Sequence, residues 1–242
     1  MSRPSDRNVR FHACRNDDEW TWTAAVGIAG ALRRRLAEGG DRPLRARLLL
    51  SGGTTPAPVF RALSQAPLDW ERVDIGLVDE RWLLPSDSES NAHLVQTHLL
   101  RNYAAAARFE TLTRAGRPIE AAVADANLRA HQPADVVVLG MGGDGHTASL
   151  FPRMHGLQQA LASPTPYVAV DATGCPGAGP WQRRISLTPA GLAPAATRIL
   201  LLHGVDKRQV FERALAGTDP REMPVRIAFT TPGAPLDVYW CA

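Results

Sequence analysis

An α/β fold built on a mostly parallel sheet is predicted by three features of this 242-residue chain. Asp135-Val136-Val137-Val138-Leu139 is a β-branched and apolar run without polar alternation, the pattern of a strand covered on both faces. Further short apolar runs alternate with helical stretches along the chain, the order expected of a parallel sheet. Several runs end in loops rich in Gly, Ser, Thr or charge, at the strand ends where ligands bind in such sheets.

Taken in order, Asp17–Leu36 reads as a helix, with an acidic first turn after Asn16 and Arg33-Arg34-Arg35 ahead of Gly39-Gly40. Ala46–Leu50 is a strand, Ser51–Thr55 a loop and Ala57–Ser64 a helix opened by Pro56, together a βα unit. Val73–Val78 is the next strand, followed by a loop over Asp79–Ser90 and a helix through about Asn102. A helix over Ala121–His131 leads into the strand Val136–Leu139. The Pro- and Gly-rich segment Thr173–Pro180 reads as a surface loop. Ile185–Leu187 and Ile199–Leu202 are strands, Asp206 to about Ala216 a helix, and Val238–Trp240 a last strand. No repeat, low-complexity tract or linker divides the chain, so one domain over residues 1–242 is expected.

Composition narrows the function. The net charge is +3, but the arginines are scattered among acids, which argues against nucleic-acid binding and suits a small anionic substrate. Cys14, Cys175 and Cys241 are few, odd in number and far apart, so neither disulfides nor zinc are expected and a reducing cytoplasm is. The segment Met1–Phe11 is polar, and no apolar run approaches the ~20 residues that span a bilayer; export and membrane insertion are not expected. Lys207 is the only lysine in an arginine-dominated chain, which points to a specific need for a compact ammonium charge.

Three constellations carry chemistry. Ser51-Gly52-Gly53-Thr54-Thr55-Pro56 joins a strand to a helix and offers backbone N–H groups and hydroxyls as a phosphate cradle. It lacks the lysine of the nucleotide P-loop, which favours a phosphorylated small molecule over ATP. Asp79-Glu80-Arg81 closes a strand, with Arg81 placed to clamp an anion and Ser90-Asn91 opening the next helix. Arg184, of the pair Arg183-Arg184, adds positive charge. In the third stretch, Gly140 to Pro152, four glycines within six residues admit a substrate to the backbone, and Asp144 and His146 are its ionisable side chains. His146 is the candidate general base and Asp144 its orienting partner. Gly140-Met141-Gly142-Gly143-Asp144-Gly145 satisfies the dinucleotide G-x-G-x-x-G pattern formally. No acidic residue follows where ribose recognition needs one, however, and His146 stands where a helix should pack. His93 and His98 are five apart, off the spacing of a metal-binding pair on a helix, and no metal or other cofactor is expected.

With these motifs in this order, the chain resembles the glucosamine-6-phosphate isomerase/6-phosphogluconolactonase family over nearly its whole length. The resemblance implies a three-layer α/β/α fold with a mostly parallel, Rossmann-like sheet, as in glucosamine-6-phosphate deaminase and ribose-5-phosphate isomerase. It also implies cofactor-free hydrolysis of 6-phospho-D-glucono-1,5-lactone, with His146 activating water. Ser51, Gly52, Gly53, Thr54 and Arg81 would then hold the phosphate, and Arg184 and Lys207 would add charge, Lys207 standing in the motif Gly204-Val205-Asp206-Lys207. Asp79, Asn91 and Gly143 complete the expected substrate contacts, with backbone N–H groups of the glycine loop stabilising an oxyanion. The related deaminases carry a glutamate five residues after the histidine, where this chain has Phe151. A non-catalytic phosphosugar sensor would usually carry a DNA-binding helix-turn-helix, for which the residues before the first helix leave no room. The expected partner is a phosphosugar lactone, with no nucleic acid and no membrane, and the expected state a monomer or weak homodimer.

Overall fold

The apolar runs, interrupted by Arg47 in the first and Asp74 in the second, become strands buried along their whole length: β2 (Ala46–Leu50), β3 (Val73–Leu77) and β6 (Val136–Leu139). Burial on both faces is what such runs require, and helices on either side supply it in a three-layer α/β/α arrangement. The structure, a computed structural model, describes residues 8–38 and 44–242. The expected Gly39-Gly40 helix stop and the first seven residues of the polar N-terminal segment lie outside the described residues.

Among the described residues, the main sheet also contains β1 (Val9–Ala13), β5 (Arg108–Phe109), β9 (Thr197–His203) and β10 (Leu236–Cys241), in the order β1-β10-β9-β6-β2-β3-β5. Every pairing in it is parallel. From β2 the chain moves outward to β3, whereas from β6 it moves the other way to β9 and β10. The sheet therefore changes winding direction between β2 and β6, where Leu50 lies opposite Val138. A crevice opens beyond the carboxyl ends of the strands at such a point.

A second, antiparallel sheet in the order β4-β8-β7 stands beside this edge, formed by β4 (Asp79–Arg81), β7 (Tyr167–Asp171) and β8 (Arg183–Leu187). The expectation of a loop over 79–90 is corrected at its start, because Asp79–Arg81 pairs with Arg184–Ser186. Leu187 N–H donates to Val78 O at 2.8 Å and Tyr167 Oη to Leu77 O at 2.7 Å, which fixes the small sheet to the end of β3. The strands β1, β5 and β7 are short or edge elements with weak apolar patterns, and the sequence reading missed them.

The helices are α1 (Asp17–Ala37), α2 (Ala57–Leu63), α3 (Asn91–His98), α4 (Ile119–Arg129), α5 (Leu157–Leu161), α6 (Pro189–Leu192), α7 (Val205–Ala216) and α8 (Ile227–Thr230). Asn16 caps α1 by accepting from Glu19 N–H at 2.9 Å, and Asp17, Asp18 and Glu19 fill the first turn as its dipole favours. No helix among the described residues is long and apolar enough to cross a membrane.

One buried cation holds the far side of the main sheet. Arg198 on β9 is fully buried, and its guanidinium donates to Thr231 O at 2.7 Å, Pro232 O at 2.6 Å and Ala193 O at 3.0 Å. These carbonyls end two separate segments, so one side chain satisfies the backbone of both. Arg198→Met is expected to leave the three carbonyls without donors and to cost on the order of 3 kcal/mol. Thermal unfolding should register this as a fall in Tm of roughly 6–12 °C for a domain of this size, and an unchanged Tm would refute the assignment.

Candidate active site

The loops after β2, β3 and β6 and the start of α7 meet around a cleft of about 320 Å3. It is lined by Ser51, Gly52, Gly53, Thr54, Asp79, Arg81, Asn91, His146, Arg184 and Lys207 from the residues singled out in the sequence. Asp144 stands directly behind His146, and Gly143 is exposed and outside the lining. Thr173–Pro180 is not a plain surface loop, since its turn over 176–178 buries Ala178 and brings Gly177 to the wall of the cleft.

The imidazole is fixed from two sides. His146 Nδ1 lies 2.6 Å from Asp144 Oδ1, the same oxygen accepts His146 N–H at 3.0 Å, and the ring packs on Phe151 with centroids 4.4 Å apart. With an ionised Asp144, Nδ1 carries the proton and Nε2 keeps a free lone pair. Burial pushes the Asp144 carboxyl up, but the hydrogen bonds and charge of His146 outweigh it and leave the group below its usual range. The pair thus contributes stability above the ordinary carboxylate range, lost as pH falls through the lowered value.

Glycine is required where these side chains meet the backbone. A Cβ at Gly142 would overlap the His146 ring, and one at Gly177 would lie 2.6 Å from Asp144 Oδ2. The turn itself consumes donors: Gly142 N–H donates to His146 O at 2.9 Å and Gly145 N–H to Gly142 O at 3.1 Å. Those two N–H groups are thereby engaged within the turn itself. Ala148 follows with φ of 51°, a left-handed conformation held between the hydrogen-bonded side chains of Thr147 and Ser149.

Positive charge is gathered at Arg81, Arg184 and Lys207, none of which forms a salt bridge among the described residues. Arg81 and Arg184 are cross-strand partners on β4 and β8, an arrangement that like charges disfavour unless something anionic lies between them. Arg81 donates to Glu89 O, and its Nε is buried without a partner. Arg184 donates to Trp181 O at 2.7 Å, Ala178 O at 2.6 Å and Ser149 Oγ at 3.3 Å. Burial lowers its affinity for its proton, Asp79 raises it and Arg81 lowers it again. Lys207 Nζ donates to Met141 O at 2.7 Å; burial depresses its pKa against the charge of Asp144, which places it on the glycine-loop side of the cleft. The buried Ser51 hydroxyl has no partner, and the N–H groups of Gly52, Gly53 and Thr54 have none among the described residues.

Sequence reasoning gave no role in the site to four residues. Ser149 Oγ donates to Asp79 Oδ2 at 2.6 Å and so links the second and third motifs. Phe151 lies between His146 and Arg184, whose guanidinium carbon is 5.2 Å from the ring centre. Gly177 is the third. Glu80 is fully buried and accepts from the N–H groups of Arg81, Asn91 and Ala92, each at 2.8 Å. With Ser90, whose Oγ accepts from His93 N–H at 2.9 Å, it caps α3 and sets Asn91 against Gly52. Strand alternation at 79–81 was the available signal, since it turns Glu80 away from Asp79 and Arg81. Trp82 and Trp181 stay outside the lining.

A carboxylate-held imidazole facing a cluster of underpaired cations defines an enzyme for small anionic molecules rather than a nucleotide-binding or structural domain. Comparison with known proteins gives that class its family. The model described as glucosamine-6-phosphate isomerases/6-phosphogluconolactonase matches residues 18–240, and the chain belongs to this family. A 6-phosphogluconolactonase of Xylella fastidiosa is 51% identical over 226 residues, covering 93% of this chain and 92% of that protein. One from Pseudomonas aeruginosa is 43% identical, covering 89% and 88%. The crystal structure of a 6-phosphogluconolactonase from Shewanella baltica superposes with a TM-score of 0.86 at 35% identity, covering 97% of this chain and 98% of that one. A monomeric glucosamine-6-phosphate deaminase, 18% identical with a TM-score of 0.76, shares the fold.

Glu80 lends itself to a direct test. Burial pushes its carboxyl up to about 7, against the pull of the three backbone donors. Both oxygens face N–H groups, so in Glu80→Gln an amide NH2 must confront a donor. A loss of about 1–3 kcal/mol is expected in denaturant unfolding. Unchanged stability would mean that Glu80 does not hold α3.

Proposed function

We propose that this cleft hydrolyses 6-phospho-D-glucono-1,5-lactone to 6-phospho-D-gluconate, a step of the oxidative pentose phosphate pathway, in the cytoplasm and without a cofactor. The observation that carries the reading is the free Nε2 of an Asp144-held His146 in the same cleft as Arg81, Arg184 and Lys207. The chain acts as a carboxylic ester hydrolase on a sugar lactone, the activity for which its close relatives are named.

His146 Nε2 takes a proton from water, and the hydroxide formed adds to the lactone carbonyl carbon. The tetrahedral intermediate collapses with cleavage of the bond to the ring oxygen, which receives the proton back from the imidazolium. Asp144 holds the ring in the required tautomer and stabilises its charged form. The phosphate lies against Ser51 and the N–H groups of Gly52, Gly53 and Thr54, where Arg81 supplies a bidentate donor and Arg184 relieves the like-charge pair by sharing the anion. Lys207 adds charge from the glycine-loop side, while Asp79 and Asn91 face the sugar hydroxyls. Phe151 favours this reaction over amine release, because no carboxylate stands at its position to serve ring opening.

Two kinetic outcomes are expected in hydrolysis of freshly generated lactone, corrected for spontaneous opening. His146→Ala should lower kcat about 10²–10⁴-fold in a protein that remains folded, and full turnover in this variant would remove the histidine from the mechanism. Arg81→Gln should instead raise KM by about 10–100-fold with a smaller change in kcat, as loss of a charge-assisted contact to bound phosphate requires. A KM equal to wild type would place the phosphate elsewhere.

A further inference from the structure

Far from the cleft, α1 presents a second face with a built-in symmetry. Asp18, Trp22, Ala25, Val26, Ala29 and Arg33 follow at helical spacing and share one stripe, ~22 Å long, on the side of α1 next to α2. Trp22 is 51% and Val26 66% exposed, large apolar groups in water on an otherwise polar surface. The helix walls a groove of about 200 Å3 whose other side is Ala62, Gln65, Ala66 and Pro67, at and beyond the carboxyl end of α2.

The order of residues along the stripe is self-complementary. Laid antiparallel against a copy of itself about an axis between Ala25 and Val26, the helix sets Trp22 over Ala29 of the second copy, a large side chain against a small one. The same operation sets Asp18 against Arg33 at both ends. Both charged residues are exposed, and neither bonds to another described side chain. An isologous two-fold contact needs this property: residue i meets j, and j meets i. The groove over Ala29 admits the incoming indole, with the small Ala62 and Ala66 as its floor. An anionic lipid surface fits less well, since the Asp17-Asp18-Glu19 turn borders the same stripe.

We propose that this chain self-associates through α1 as an antiparallel, two-fold dimer, with Trp22 seated in the groove between α1 and α2 of the other copy and Asp18 paired with Arg33. One helix face and one groove are small beside the ~800 Å2 per partner of a stable interface, so the dimer is concentration-dependent. The groove lies at the opposite end of α2 from Thr55 and Pro56, which line the cleft, and association leaves turnover unchanged.

Sedimentation of the full chain from micromolar to millimolar concentration tests this. The wild-type mass should climb from one chain towards two, and Trp22→Asp should stay at one chain with its kinetics intact. Asp18→Arg and Arg33→Asp should each weaken association roughly tenfold, since two like-charge contacts replace two ion pairs. The double variant, Asp18→Arg with Arg33→Asp, should restore it. These surface exchanges keep the test valid even if Trp22→Asp misfolds. A wild type that stays at one chain throughout overturns the proposal, as does association that ignores the substitutions or single exchanges that the double variant fails to rescue.

Discussion

The arrangement on which the cleft depends is the opposition of Arg81 and Arg184 across β4 and β8. Two cations at one register position repel, and a fold tolerates them only if neighbouring groups hold each in place and an anion can share them. Here Arg184 is fastened by two carbonyls and by Ser149, whose hydroxyl is in turn bonded to Asp79 on the same strand as Arg81. The small sheet is thus tied to the glycine-loop segment by a polar chain before any ligand arrives. Preorganisation of this sort leaves a bound anion little reorganisation to impose.

Glu80 performs the complementary task on the other face of β4. A carboxylate buried so completely is costly unless it is hydrogen-bonded, and the Asn91 and Ala92 N–H groups at the start of α3, with that of Arg81 on β4, meet that need. Adjacent residues of one strand therefore do different work: Asp79 and Arg81 face the cleft, while Glu80 anchors the helix that delivers Asn91. The contact of Asn91 with Gly52 then closes the circuit back to the loop after β2, because any side chain at Gly52 would occupy the space of the Asn91 amide.

Much of this was legible in the sequence, and the limits have physical causes. Strand β6 was plain because burial on both faces leaves an unbroken apolar run, β2 and β3 because each is mostly apolar around one charged residue, and α1 because its caps and end charges agree with its dipole. The candidates His146 and Asp144 could be named because a glycine loop after a strand has few other uses, Arg81 because it closes a strand, and Lys207 because it is the only lysine of the chain. Gly177, Ser149 and the burial of Arg184 could not, since each depends on the small antiparallel sheet. Its strand β7 is half exposed, and β4 is three residues long. The use of Gly142 and Gly145 N–H groups within the turn was also beyond a pattern reading, which shows where glycines are and not where their donors point.

Phe151 supports the site by contact and not by charge. The residue is completely buried, with the His146 ring on one side and Arg184 on the other. A carboxylate placed there would lie beside the imidazole that Asp144 already holds and would compete for its proton, while drawing Arg184 into an ion pair and away from the cleft. The aromatic ring supports the histidine by contact alone, so Nε2 answers to one carboxylate and Arg184 keeps its field for an anionic ligand. An apolar residue at this point therefore keeps a single imidazole–carboxylate pair beside the cationic side of the cleft.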